Sequence, residues 1–333
     1  MLIEQAFYNL PEILVGAKYP TQDYESGIVS AFSLALLQQL NGRNALNPLS
    51  FLQTEKPYMD RRGFWTAEDG THRYLRSDLH LNTYRLESGS KRMAAYGWRH
   101  SNWLEAKFFR AFDKDGNPTR STNQAIQTAA LLADLLRLSA LGRREIGKDD
   151  MGFSSRYLLH VYLREVADHL CMDRNPPKAA QVKGAEKPKR QQREWISALI
   201  APGRQNPVAI RIGDETTMIR KSINPHLNGI TLQFGAENLV ITPSETHKNE
   251  AVFACYLTRL TEFKVTYGGH FWGIGADRRE VKSSDDAYAT IREFVGKYIN
   301  LKGDVEQQKP AEDEAENVEV VAIQPAEPPP AQQ

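Results

Sequence analysis

The chain has 333 residues, of which 41% are apolar, and it carries 42 Lys and Arg against 41 Asp and Glu. This composition suffices for one large domain or two ordinary ones, and the near-zero net charge argues against a simple basic nucleic-acid clamp. Two cysteines, Cys171 and Cys255, are too few for a disulfide framework or a zinc cluster of several thiolates. The N-terminus has no basic leader, and no apolar run approaches the roughly 20 residues that span a bilayer. We therefore expect a soluble cytoplasmic protein without a membrane partner.

The charge is segregated along the chain. Residues 302–333 hold eight acidic residues and two lysines, a net charge of −6, whereas residues 172–193 hold seven basic and two acidic residues, a net charge of +5. The remainder carries only +2. The acidic segment is rich in proline and lacks aromatic residues, so we expect it to be disordered. The basic segment has the composition of a linker.

The first predicted elements are a helix and a strand. Apolar residues recur every four positions between Tyr24 and Leu40, and Asn41-Gly42 supplies a helix stop. From His72 to Thr83 the period changes to two, which is typical of a half-buried strand with Asp78 and His80 on its polar face.

A second strand is predicted over residues 102–112. Leu104, Ala106 and Phe108 share one face of it, while Glu105 and Lys107 share the other. An apolar helix follows at about residues 123–141, and residues 156–163 are predicted to form an inner strand. Two charged side chains on one face of a strand in this setting imply a partner or a metal, because unpaired buried charge is costly.

The C-terminal half is predicted to be an α+β region. Short strand candidates cover residues 208–212, 230–234, 239–242, 251–267 and 270–274, and a helix covers residues 285–300. Gly268-Gly269 precedes the last strand candidate and matches no phosphate-binding loop, so a tight hairpin is expected there.

The order helix, strands, Glu105-Ala106-Lys107, apolar helix and strand over about residues 20–165 resembles the PD-(D/E)xK nuclease superfamily. The resemblance implies an α/β fold with a restriction-endonuclease-like αβββαβ core and a mixed sheet. We accordingly expect a nuclease-like domain over 1–171, a basic linker over 172–193, an accessory or recognition region over 194–301 and a disordered tail over 302–333.

The resemblance also implies a site that holds Mg²⁺ or Mn²⁺. By position, Asp78 and Glu105 would be carboxylate ligands, the Ala106 carbonyl a further ligand, and Lys107 the group that orients or activates the attacking water. Glu25, on the apolar stripe of the first helix, would take the role of a further acidic residue near the metal.

Several alternatives stay open at this point. Ser77 and not proline precedes Asp78, and other acids could supply the first ligand, namely Asp60, Glu68 and Asp69. A second acid-x-Lys pattern occurs at Glu262-Phe263-Lys264. Glu105 and Lys107 could instead form an ordinary ion pair on a solvated sheet face, and Glu25 could simply favour the positive end of its helix.

Phosphate contacts are predicted from polar residues near the site and in the linker: His80, Arg99, His100, Lys187, Lys189 and Arg190. Ordinary polar surface and a solvated tether are the alternatives for them.

These features predict a metal-dependent nuclease that hydrolyses phosphodiester bonds, with DNA as its partner, in a restriction, antiviral defence or DNA-processing system. The alternative is a non-catalytic nucleic-acid-binding or scaffold subunit on the same fold. A protein partner could bind the C-terminal region or the apolar island Glu319–Ile323 of the acidic tail. The sequence leaves homo-oligomer formation open.

Overall fold

The structure is a computed structural model, and it describes residues 2–16, 25–58, 64–66, 72–83, 101–109, 124–142, 154–163, 165–174, 191–242 and 253–299. Several predictions concern residues outside these ranges: the tail 302–333, most of the basic linker, the rival acids Asp60, Glu68 and Asp69, and the predicted phosphate contacts Arg99, His100, Lys187, Lys189 and Arg190.

Seven α-helices lie in the described ranges: α1 (Leu2–Gly16), α2 (Glu25–Asn41), α3 (Gln124–Leu136), α4 (Val166–His169), α5 (Glu194–Ile200), α6 (Thr217–Ile223) and α7 (Ala287–Tyr298). A π-helical turn over Arg137–Leu141 extends α3. None of these helices is both long and apolar enough to cross a membrane.

Thirteen strands accompany them: β1 (Leu52–Pro57), β2 (Phe64–Thr66), β3 (His72–Tyr74), β4 (Arg76–Asn82), β5 (Ser101–Phe109), β6 (Ser155–Leu163), β7 (Asp173–Arg174), β8 (Gln191–Gln192), β9 (Gly203–Arg211), β10 (Thr231–Ile241), β11 (Phe253–Tyr267), β12 (His270–Ile274) and β13 (Glu280–Lys282). Nine of them form one sheet in the order β1-β4-β5-β6-β11-β10-β9, with β12 paired to β11 and β13 to β12. Among the described strands every pair is antiparallel except β5–β6. The chain is thus a mixed α/β protein with a mostly antiparallel sheet.

The sheet separates two hydrophobic cores. One core joins α1 and α2 to the sheet face that carries Leu79, Leu81, Leu104 and Ala106. The other core lies on the face of Trp103 and contains side chains of α3, α5, α6 and α7, among them Leu132, Ile196, Ile219 and Ile291. Because side chains alternate along a strand, Glu105 and Lys107 project from the same face of β5 as Trp103, opposite to Leu104 and Ala106. The predicted division of faces in this strand is confirmed.

Most predicted elements occur with shifted ends. The strand predicted over 72–83 is interrupted at Leu75, so its first part pairs in a small separate hairpin as β3. The candidates at 230–234 and 239–242 form the single strand β10, with a register shift between Gly235 and Ala236. The predictions omitted nine of the described elements: α1, α4, α5, α6, β1, β2, β7, β8 and β13. The hairpin at Gly268-Gly269 is present, and both glycines have positive φ, 56° and 83°, as a two-residue type I′ turn requires.

The sheet continues across the predicted boundary at 172–193. Strand β6 of the predicted nuclease-like domain pairs directly with β11 of the predicted accessory region. The two ends of the basic segment also meet, because β7 pairs with β8. Arg193, which counts toward the charge of that segment, is buried and donates to Glu215 and to the Cys171 carbonyl. The basic segment therefore leaves and rejoins the folded body at one place.

Candidate active site

The candidate site lies where β4 and β5 separate. Their antiparallel pairing runs from Asn82–Ser101 to Leu79–Leu104, and Asp78 and Glu105 follow next. There the Asp78 Oδ2 atom accepts a hydrogen bond of 2.6 Å from the Ala106 amide. A side-chain carboxylate thus bonds a main-chain donor of the neighbouring strand and is fixed beside Glu105.

The carboxyl groups of Asp78 and Glu105 are in direct contact through a hydrogen bond. Burial raises the pKa of both groups, and the neighbouring negative charges of Asp78 and Asp134 raise that of Glu105 further, well above its usual value. Two touching carboxyl groups cannot both ionise cheaply in a buried place. In the absence of a cation, a proton held by Glu105 and donated to Asp78 accounts for both the contact and the direction of the shifts.

Tyr58 holds Glu105 from the other side. Its hydroxyl donates a hydrogen bond to the Glu105 Oε1 atom, and its ring stacks on Trp103 with centroids 5.1 Å apart. Both aromatic side chains are fully buried. This packing leaves Glu105 little rotamer freedom, so the position of its carboxyl group is set by the core.

Lys107 lies between two further acids. Its Nζ atom is 2.7 Å from Glu25 Oε2 at the start of α2 and 3.4 Å from Asp134 Oδ2 on α3. Asp134 Oδ1 also accepts from Arg137 at 3.0 Å. Burial lowers the pKa of Lys107, but the charges of Asp134 and Glu25 outweigh that effect and raise it above its usual value. Lys107 therefore carries a stable positive charge.

The structure brings together four of the residues predicted for the metal site and its lysine: Glu25, Asp78, Glu105 and Lys107. It contradicts the alternative of a solvated sheet face, because Glu105 is only 2% exposed. Glu25 does not interact only with the positive end of its own helix, because its carboxylate also forms an ion pair with Lys107. The second acid-x-Lys pattern lies elsewhere on β11, where Lys264 lies over the Phe271 ring.

Three residues of the cluster were missed: Tyr58, Asp134 and Arg137. Asp134 could have been predicted from the sequence, because it is the lone acid inside the apolar helix α3 and a basic residue follows it three positions later. Tyr58 had no such signal. Its role depends on the approach of a loop residue to a strand 47 positions later in the chain.

His80 is adjacent to the site but enclosed. It is 2% exposed, its Nε2 atom is 2.8 Å from Ser101 Oγ, and its ring lies 4.7 Å from that of Trp103. Lys56 Nζ approaches the ring nitrogens at 3.2 Å. A phosphate contact by His80 stays a prediction that would require this arrangement to open.

The donor chemistry of the cluster fits a hard divalent cation. Mg²⁺ accepts one or two carboxylates and keeps several waters, and Asp78 with Glu105 supplies two carboxyl groups in contact. In their present placement, the described residues include no group of three or more His, Cys, Asp and Glu side chains that could hold a metal. Solvent reaches the cluster from the side of Glu25 and Lys107, whose side chains are 36% and 17% exposed.

Comparisons of the chain with protein-family models, with curated proteins and with solved structures found no match.

Proposed function

We propose that the protein is a divalent-metal-dependent nuclease, with Asp78 and Glu105 as metal-binding carboxylates and Lys107 as the cationic residue beside them. The observation that carries this proposal is that the Ala106 amide holds the Asp78 carboxylate beside Glu105, close enough for the two carboxyl groups to share a hydrogen bond. The assignment requires that these two acids, which lie on different strands, are close enough to share one ion.

The order of elements around the site supports the proposal. Helix α2 is followed by β1, β4 and β5, then by α3 and β6, and β5 and β6 are parallel. This is the αβββαβ order that the resemblance implies. The small β2–β3 hairpin is an insertion between the first two of these strands, and β9–β13 extend the sheet beyond them.

The bound cation would polarise a phosphodiester and lower the pKa of a water molecule that it holds. The protein's own residues have separable roles around it. Asp78 and Glu105 supply negative oxygens, and the Ala106 amide and Tyr58 hydroxyl hold those carboxylates in place. Lys107 is kept protonated by Glu25 and Asp134, so it contributes positive charge where the phosphate gathers negative charge and does not act as a base.

A second candidate function rests on the completeness of the same contacts. Each of Asp78, Glu105 and Lys107 already has partners within the protein. A satisfied buried polar cluster can serve to fix a unique fold. The chain would then be a non-catalytic nucleic-acid-binding or scaffold subunit that keeps the cluster for structural reasons.

Plasmid cleavage and Mn²⁺ binding test the first candidate on Glu105→Gln and Lys107→Met. The matched controls are Glu262→Gln and Lys264→Met, which alter the other acid-x-Lys pattern on β11. We expect the first pair to lower the cleavage rate by at least about a hundredfold and the second pair to leave it unchanged. Calorimetric Mn²⁺ binding should be lost in Glu105→Gln and kept in Glu262→Gln.

Equal cleavage by Lys107→Met and Lys264→Met would reject the assignment of Lys107. A wild-type protein that neither binds Mn²⁺ nor cuts DNA or RNA would favour the scaffold. Urea unfolding of each variant separates loss of activity from loss of the fold.

A further inference from the structure

The nine-stranded sheet has a gap along one side of β11. Strand β6 pairs with β11 from Phe253 as far as Arg259, and β12 pairs with the same side of β11 from Phe263 onward. Residues 260–262 lie between the two partners. The start of β6 and the end of β12 therefore border an opening in the sheet.

A cavity of about 310 Å³ occupies this opening. Four arginines line it, Arg156 from β6, Arg204 from β9, Arg259 from β11 and Arg278 from the loop after β12, together with one acid, Glu237 from β10. Glu237 is paired with Arg259. The lining therefore has a net charge of +3, in a chain whose total charge is only +1.

Arg156 is the most buried of these four arginines. It is 2% exposed, it lies over the Phe263 ring at 4.1 Å, and its Nη2 atom donates to the Gly142 carbonyl. Its Nε and Nη1 atoms are buried without a hydrogen-bond partner. No carboxylate in the described part of the chain forms an ion pair with it, and burial lowers its pKa to about 10, so it stays charged at neutral pH. A buried cation without an anion is costly unless a ligand supplies one.

Thr261 adds a second unsatisfied group to the same cavity. Its Oγ1 atom is buried without a hydrogen-bond partner, in the stretch of β11 between β6 and β12. The residues that line the cavity thus carry a hydroxyl and four guanidinium groups, from both faces of the sheet, and these are the groups that bind phosphate oxygens.

We propose that this cavity is a binding site for the phosphate group of a small phosphorylated molecule. Arg156 on β6 is buried, Arg259 on β11 is half-buried, and Arg204 on β9 is exposed. None of the residues that line it belongs to the Asp78–Glu105 cluster. Arg156 interacts electrostatically with Tyr58 of that cluster, so Arg204 is the residue that tests the cavity independently of the nuclease assignment. Its size suits a small ligand better than a duplex.

Calorimetric titration of the full chain with pyrophosphate and with AMP, in the absence of divalent metal, tests the site. We expect one ligand per chain. Affinity should fall about tenfold or more in Arg204→Gln and in Arg156→Met, because each removes a charge-assisted contact. Arg204 is exposed, so its variant keeps the fold even if the buried substitution does not. Arg211→Gln is the matched control, since Arg211 is an exposed arginine at the other end of β9 and does not line the cavity.

Equal affinity in wild type, Arg204→Gln and Arg211→Gln would overturn the proposal, as would the absence of binding at millimolar pyrophosphate. A short single-stranded oligonucleotide without terminal phosphates should not displace pyrophosphate. Displacement by it would overturn the assignment to a small ligand and indicate a contact with the nucleic-acid backbone.

Discussion

The Tyr58 hydroxyl donates a hydrogen bond to Glu105 Oε1, which ties a loop residue ahead of the β2–β3 hairpin to the centre of the candidate site. This bond lowers the pKa of Glu105 against the opposing effects of burial and of the charges of Asp78 and Asp134. Tyr58 therefore favours the ionised form of the carboxyl group that a metal needs, and it fixes where that group lies.

Tyr58→Phe should accordingly weaken Mn²⁺ binding by about tenfold, the usual cost of losing a residue that orients a metal ligand. Calorimetric titration would measure this. Tyr162→Phe is the matched control, because Tyr162 is also fully buried and its hydroxyl bonds His160 and not the cluster. Unchanged affinity in Tyr58→Phe, or an equal loss in both variants, would contradict an orienting role for Tyr58.

Asp134→Asn should destabilise the fold by about 3 kcal/mol, because it removes one partner from a buried group of charges. Lys107 would keep only Glu25 of its two acids. The free energy of unfolding in urea is the measurement. Asp277→Asn, in an exposed pair with Arg279, should cost less than about 1 kcal/mol. A loss of similar size in the two variants would show that the cluster does not depend on Asp134.

His160 should make stability depend on pH below neutrality. Its ring is fully buried beside Tyr256, and burial lowers its pKa from 6.5 to about 3. Below pH 6.5, His160 binds a proton in the unfolded chain, whereas the buried ring in the folded chain stays neutral down to about pH 3. The stability contributed by the neutral ring is thus present above the unfolded pKa and is lost as the pH falls toward the folded pKa.

Between about pH 7 and about pH 5, this loss should reach about 2 kcal/mol in the wild type. His160→Gln should remove that part of the pH dependence, whatever its effect on stability at neutral pH. His226→Gln, at an exposed histidine, is the control and should keep the wild-type profile. Urea unfolding at both pH values measures the difference, and parallel profiles for wild type and His160→Gln would refute the prediction.

Removal of residues 302–333 should strengthen nucleic-acid binding at low salt. The truncation deletes a net charge of −6 and leaves the remaining chain at +7. The gain should fade as salt rises, because screening weakens both the attraction to phosphates and the competition by the tail. Fluorescence anisotropy of a labelled oligonucleotide across a salt series would measure it. Identical affinities of full and truncated chains at low salt would show that the tail does not compete.

The sequence alone determined the local part of this protein. Period-four and period-two patterns identified α2, β4 and β5, because each of them buries one face and polar residues mark the other, whereas apolar and aromatic composition identified α3 and β6. The same alternation placed Glu105 and Lys107 together on one face of β5. Asp134, the lone acid in α3, could also be recognised from the sequence, but its ion pair with Lys107 could not.

Tertiary structure decided the long-range part. The contact between Asp78 and Glu105, the hydrogen bond from Tyr58 and the approach of Glu25 and Asp134 to Lys107 all join residues far apart in the chain. Strand pairing across the predicted boundary also joined both halves into one sheet. It left a gap in the sheet beside a cavity that four arginines line. Periodicity reports which face of an element is buried, but it does not report which elements become neighbours, because that depends on packing of the whole chain.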